Sequence, residues 1–201
     1  MLLALALLAA GPAAGQPLKI LALGDSLTAG FGLGPGQGFA PQLERALKDN
    51  GVEAQVIDAG VSGDTTAGGL SRLDWALAEQ PDLVILELGA NDMLRGVDPA
   101  ETRANLDAML AKLRDAGPKV LLAGMRAAPN LGPDYGGAFE KAYADLAAKY
   151  AVPLYPFFLE GVATDPKLNL PDGLHPNEAG VKEIVRRILP HVLAAAGVRP
   201  S

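Results

Sequence analysis

Ile20-Leu21-Ala22-Leu23-Gly24-Asp25-Ser26-Leu27-Thr28 passes from four unbroken apolar residues into a glycine, an acid and a serine. A short apolar run of this kind reads as a strand buried on both faces, the pattern of a parallel sheet packed between helices. The strand predicted over residues 19–23 therefore delivers a hydroxyl, that of Ser26, to the rim of the sheet. In open α/β sheets the rim at the carboxyl ends of the strands is where ligands bind. A serine there is only an alcohol until a base takes its proton. The rest of the chain is read for that base, for a group that orients it, and for donors to an oxyanion.

Outward from this stretch, short apolar runs alternate with helical periodicity. The glycine-rich segment 28–38 is predicted to be a loop beside the site. Phe39, Leu43, Ala46 and Leu47 then fall on one helical face, and Asn50-Gly51 ends that helix. Residues 54–59 read as the second strand, with Gly60-Val61-Ser62-Gly63-Asp64 turning out of it. Leu70, Leu73, Ala76 and Leu77 make the next helical stripe. Leu83-Val84-Ile85-Leu86 is a third strand, continuous in apolar character, and Gly89-Ala90-Asn91-Asp92 leaves it. A helix carrying Leu106, Met109, Leu110 and Leu113 stops at Gly117-Pro118 and leads to a strand over 120–123. Residues 128–137 are expected to be a loop, followed by a helix marked by Phe139, Tyr143, Leu146 and Tyr150. A weak fifth strand over 152–155 precedes an irregular stretch that reaches Asp172 and His175. The last helix shows Val181, Ile184, Val185, Ile188 and Val192 on one side. Regular β-α alternation predicts an α/β domain with a parallel sheet and helices on both faces. No repeat or linker interrupts it.

Composition narrows the chemistry. A 201-residue chain with 49% hydrophobic and 20% charged residues is long and apolar enough to bury one full α/β core. A net charge of -6 argues against a nucleic-acid partner, which needs clustered cations. The absence of cysteine removes disulfides, thiolate metal sites and a cysteine nucleophile. His175 and His191 share no ligand spacing, so no metal is expected. The glycines between 30 and 38 do not form G-x-G-x-x-G and no G-K-[ST] follows, so a nucleotide cradle is not expected either. Residues 1–10 are a leucine and alanine run too short to span a bilayer, followed by the small residues Gly11-Pro12-Ala13-Ala14-Gly15. Although it lacks the usual cationic start, this segment reads as an export signal cleaved near Gly15. The expected mature domain is then 16–201, periplasmic or secreted and without stable membrane insertion.

Four polar clusters lie at strand ends or before the last helix. Ser26 supplies a hydroxyl. Gly63, lacking a side chain, lets a backbone N–H approach a ligand. Asn91 supplies an amide donor. Asp172, three residues before His175, can fold back to accept the Nδ1 proton and leave Nε2 to face Ser26. Each also has a plain structural explanation: Ser26 as a capping serine, Gly63 as a turn, Asn91 and Asp92 as caps, Asp172 with His175 as a surface ion pair. Asn177 is read as the cap of the last helix, and Glu87 as a paired structural acid without chemistry. A nucleophile, two oxyanion donors and an acid–histidine pair on one rim are not readily explained piecemeal.

Gly24-Asp25-Ser26-Leu27, Ser62-Gly63-Asp64-Thr65, Gly89-Ala90-Asn91-Asp92 and Asp172-Gly173-Leu174-His175-Pro176-Asn177 follow one another in an order that resembles the SGNH (GDSL) hydrolases, specifically their periplasmic thioesterase, lysophospholipase and arylesterase branch. Asp134-Tyr135-Gly136 and Val152-Pro153-Leu154 extend the likeness over nearly the whole mature chain. The resemblance implies a flavodoxin-like α/β/α sandwich around a mostly parallel five-stranded sheet. It implies Ser26 as nucleophile, His175 as general base and Asp172 as its partner. Ser26, Gly63 and Asn91 would form the oxyanion hole. The implied reaction is hydrolysis of a small acyl ester or thioester by a monomer that needs no cofactor. Met93, Leu94, Leu131 and Phe158 are candidates for the wall of an acyl groove, with core packing as the equal alternative.

Overall fold

The structure, a computed structural model, describes residues 17–198. The proposed export segment thus lies outside the described residues. Five strands, β1 (Leu18–Gly24), β2 (Ala54–Gly60), β3 (Leu83–Glu87), β4 (Lys119–Ala123) and β5 (Leu154–Tyr155), form one sheet in the order β2-β1-β3-β4-β5. All four pairings are parallel. This is the flavodoxin-like order, in which the chain first adds β2 on one side of β1 and then reverses to add β3 on the other. Every residue of β3 is buried, as are the last five of β1, which is why both read as unbroken apolar runs.

Among the described residues, seven helices flank the sheet: α1 (Ser26–Ala29), α2 (Phe39–Asp49), α3 (Thr66–Ala76), α4 (Ala90–Leu94), α5 (Pro99–Ala116), α6 (Pro133–Tyr150) and α7 (Glu178–Ala196). α2 packs with α7 on one face, and α3, α5 and α6 pack together on the other, completing the three layers. The apolar stripes do this work. Phe39, Leu43 and Leu47 of α2, Leu106, Met109, Leu110 and Leu113 of α5, and Val181, Ile184, Val185, Ile188 and Val192 of α7 are all buried. Caps set the helix ends: Asp98 accepts from Ala100 N–H before α5, and Asn177 Oδ1 accepts from Gly180 N–H at 3.0 Å before α7, as read from the sequence. Among the described residues, no helix is long and apolar enough to cross a membrane.

Two sequence expectations are corrected. The loop predicted through residue 137 ends earlier, because α6 begins at Pro133. Proline suits the first helical turn, where its missing N–H is not needed. Tyr135 anchors that turn by donating to Val97 O at 2.8 Å and stacking on Phe139, which outweighs the poor helix propensity of Gly136 and Gly137. The fifth strand contracts to Leu154 and Tyr155, the only residues there in register with β4.

Candidate active site

The site forms at the carboxyl rim between β1 and β3, where the strand order reverses. β1 stops at Gly24. Asp25 then caps the one-turn helix α1, its Oδ1 accepting from Leu27 N–H at 2.9 Å. Ser26 is the first residue of that turn, where a helix leaves its N–H groups without an internal partner. The turn closes on Gly30, whose N–H returns to Ser26 O.

Asp172 and His175 arrive from the opposite side of the chain, in the loop before α7. Asp172 Oδ1 accepts from the N–H groups of Leu174 at 2.9 Å and His175 at 3.0 Å, so the acid itself folds the loop. Its Oδ2 lies 2.7 Å from His175 Nδ1, and His175 Nε2 lies 3.0 Å from Ser26 Oγ. The two backbone donors and the imidazole hold the Asp172 carboxyl down to about 2. It is therefore an acceptor at neutral pH, which puts the Nδ1 proton between His175 and Asp172 and leaves Nε2 free to accept from Ser26. Leu170 N–H bonds to His175 O at 2.7 Å, and Asn169 pairs with Pro176 in a short antiparallel bridge. The buried Asn169 amide ties the loop to Val162 O and Asp165 O. From the glycine-rich segment, Phe31 lays its ring 4.5 Å from the imidazole. That segment does sit beside the site, as expected. His191, by contrast, packs on Tyr155 in α7, away from it.

Asn91 stands in α4, directly after β3, and shares a cavity with Ser26 and His175. One of its Nδ2 hydrogens goes to Asp25 Oδ2 at 3.1 Å. Gly63 occupies a turn closed by Asp64 N–H to Val61 O, with φ at +86°. Arg95, capping α4, donates to Gly63 O at 2.8 Å and so links the Gly63 turn to the Asn91 helix. Arg72 fixes the same rim from below. It donates to Asp64 Oδ2, Ala59 O and Gly24 O, joining the ends of β1 and β2 to the turn. Ser26, Asp172 and His175 are thus joined directly and Asn91 shares their cavity, whereas Gly63 sits on the adjoining turn and not on the cavity wall.

Two buried acids bond to the Ser26–Ala29 turn. Asp25 is fully buried, and burial raises its carboxyl to about 6 against the pull of Leu27 N–H and Asn91. Glu87 is pushed well above the usual carboxylate range by burial and by the charge of Asp25. Its Oε2 accepts from Thr28 Oγ1 at 2.8 Å, and its Oε1 is without a partner. Glu87, read from the sequence as a paired structural acid, has the Thr28 hydroxyl as its partner and Asp25 as the neighbouring acid. Asp92 is also buried. It accepts from Thr66 N–H at 2.8 Å and from Thr66 Oγ1, tying α4 to the start of α3.

The cavity encloses about 370 Å³, with Ser26, Asn91 and His175 on its polar side and Met93, Met125, Phe157 and Leu159 among its apolar walls. Met93 and Leu94 line it as anticipated, but Leu131 does not, and Phe158 is buried against Phe39 at 5.2 Å. It is Phe157, the preceding ring, that faces the cavity. Gly89, at φ +121°, makes the sharp exit from β3 that aims Asn91 here. A Cβ at this position would lie 2.0 Å from the hydroxyl of Tyr143, which donates to Leu88 O. Gly89→Ala is expected to destabilise the fold by roughly 3 kcal/mol or more, through backbone strain and loss of that bond. Urea unfolding checks this, and a loss below about 1 kcal/mol would mean that the turn relaxes freely.

Residues 22–182 match the model of the GDSL-like lipase/acylhydrolase family. The chain belongs to this family. It is 45% identical over 172 residues to the esterase TesA of Pseudomonas aeruginosa, covering 85% of this chain and 86% of that protein. It is 43% identical over 159 residues to an arylesterase of Vibrio mimicus, covering 79% and 80% respectively. Among solved structures, AlinE4, an SGNH-hydrolase family esterase, aligns with a TM-score of 0.77 at 48% identity, covering 91% of this chain and 98% of that one. Membership makes the chain a serine hydrolase with the three-layer fold of its relatives. Asp25, Phe31 and Asn169 were missed as contributors by sequence reasoning. Only Asp25 carried a local signal there, an acid immediately before a helical turn.

Proposed function

We propose that the chain hydrolyses carboxylic esters and thioesters by two-step acyl transfer, with Ser26 as nucleophile, His175 as general base and Asp172 as its orienting acid. The observation that carries this reading is the unbroken line of bonds from Ser26 Oγ through both imidazole nitrogens to Asp172 Oδ2, at 3.0 and 2.7 Å. Ser26 Oγ bonds to the acyl carbon as its proton passes to Nε2. The tetrahedral intermediate collapses with cleavage of the C–O or C–S bond, and the imidazolium protonates the leaving alkoxide or thiolate. A water then gives a proton to His175 and attacks the acyl-enzyme, releasing the acid and restoring Ser26. Asp172 stays ionised throughout and stabilises the imidazolium.

The oxyanion is met by the N–H groups of Ser26 and Gly63 and by the Asn91 amide. Loss of one such donor typically costs about 2.7–4 kcal/mol of barrier. Asn91→Ala is therefore expected to lower kcat roughly 10²- to 10³-fold with little change in KM. An unchanged kcat would remove Asn91 from the mechanism. The apolar cavity walls support a fatty acyl chain as the part of the substrate bound there, and the esterase and arylesterase names of the relatives support ester cleavage. The deciding experiment is hydrolysis of p-nitrophenyl esters from acetyl to palmitoyl in the presence of chelator. An optimum in chain length is the expected result, and no activity on any member would overturn the reading. The proposal extends to a monomer of one hydrolase domain, residues 16–201, exported with loss of residues 1–15. Intact mass of the protein recovered from the periplasm or medium tests the cleavage site.

A further inference from the structure

We propose that Asp25 is a positioning residue for this reaction: its carboxylate holds the Asn91 amide so that the second Nδ2 hydrogen faces the oxyanion formed at Ser26. The inference rests on the reading of Asn91 as an oxyanion donor. Asp25 precedes Ser26 in the chain and reaches Asn91, 66 positions away, across the β1–β3 junction. Its bond therefore ties the element that carries the nucleophile to the element that carries the donor. Capping alone does not account for it. A cap needs one oxygen, which serine, threonine or asparagine supplies equally well, and in Asp25 that is Oδ1 on Leu27 N–H. The second oxygen, Oδ2, is spent on Asn91. With Oδ1 anchored, Oδ2 cannot swing, so the bond fixes the roll of the Asn91 amide as well as its distance.

The environment argues the same way. A fully buried carboxyl is costly to keep charged, and Arg72, which donates to the carbonyl of the preceding Gly24, is already bonded to Asp64 and to a second carbonyl. A hydrogen bond from an amide to a carboxylate is stronger than one between neutral groups, and its strength grows in a dry setting. Glu87, the neighbouring acid, bonds to Thr28 instead and leaves Asp25 as the acceptor for Asn91.

The test is a double-mutant cycle of D25N and N91A, read as kcat and KM on a p-nitrophenyl ester and normalised to sites titrated with a fluorophosphonate. D25N keeps an oxygen for Leu27 N–H but sets N–H against N–H at Asn91. Alone it is expected to lower kcat about 10- to 100-fold with KM nearly unchanged, the size of loss that follows from slight misplacement of a catalytic group. In the N91A background the same substitution should change kcat by no more than about 2-fold, because the group it positions is gone. A full D25N loss in the N91A background, or no D25N loss at all, overturns the proposal while leaving Asn91 as a donor. An N91A enzyme with wild-type kcat overturns the oxyanion reading itself. If D25N does not fold, D25S, which retains a capping oxygen but cannot reach Asn91, replaces it in the same cycle with the same outcomes.

Discussion

Ser26→Ala is expected to lower kcat on p-nitrophenyl esters by about 10⁴- to 10⁶-fold while leaving the unfolding midpoint almost unmoved. The size follows from the geometry, in which Ser26 Oγ is the hydroxyl bonded to His175 Nε2, at 3.0 Å. The buried alcohols beside the site cannot substitute for it. Thr28 is buried and donates to Glu87, and Thr66 is buried and bonded to Asp92. The small stability effect follows because Ser26 is only partly buried, and its side chain makes one bond, to a partly buried histidine. Residual activity above about 1% of wild type in chelator would mean that the acyl group is transferred elsewhere, and every role assigned around Ser26 would have to be reconsidered. The variant also supplies the control that separates binding from chemistry, since the apolar cavity walls are untouched and acyl ligands should still be retained.

The fold was legible in the sequence wherever burial decided it. β1 and β3 sit inside the sheet and show unbroken apolar runs, and α2, α5 and α7 show the stripes that meet the sheet. It was least legible where a local signal competed with packing. Gly136 and Gly137 suggested a loop, but Tyr135 on Val97 O and Phe139 holds that turn in α6. Phe157 and Phe158 are adjacent in sequence, and no periodicity distinguishes the ring that lines the cavity from the one that fills the core. In the site, Asp172 and His175 were readable because they lie three positions apart and the acid folds its own loop. The partnership of Asp25 with Asn91 was not readable, because it exists only once β1 and β3 are neighbours at the reversal of strand order. Local chemistry was written locally, and the positioning of that chemistry was written in the topology.

Asp172→Asn is expected to lower kcat roughly 10⁴-fold while the loop keeps its shape. The asparagine still presents an oxygen to the N–H groups of Leu174 and His175, the two bonds that fold the turn. What changes is the atom facing His175 Nδ1, where an acceptor becomes an N–H donor. The imidazole then carries its proton on Nε2, the nitrogen that must accept from Ser26, and the base is blocked without being removed. KM should change little, because Asp172 does not line the cavity. The pH behaviour of the wild-type enzyme separates this role from simple charge. With its carboxyl lowered from 3.8 to about 2, Asp172 favours the folded loop above the ordinary carboxylate range, and that contribution is lost only as pH falls through about 2. A decline in activity between neutral pH and pH 4 therefore belongs to another group. A kcat within about 10-fold of wild type would show that the imidazole reaches the correct tautomer without Asp172, leaving that residue the work of folding the loop.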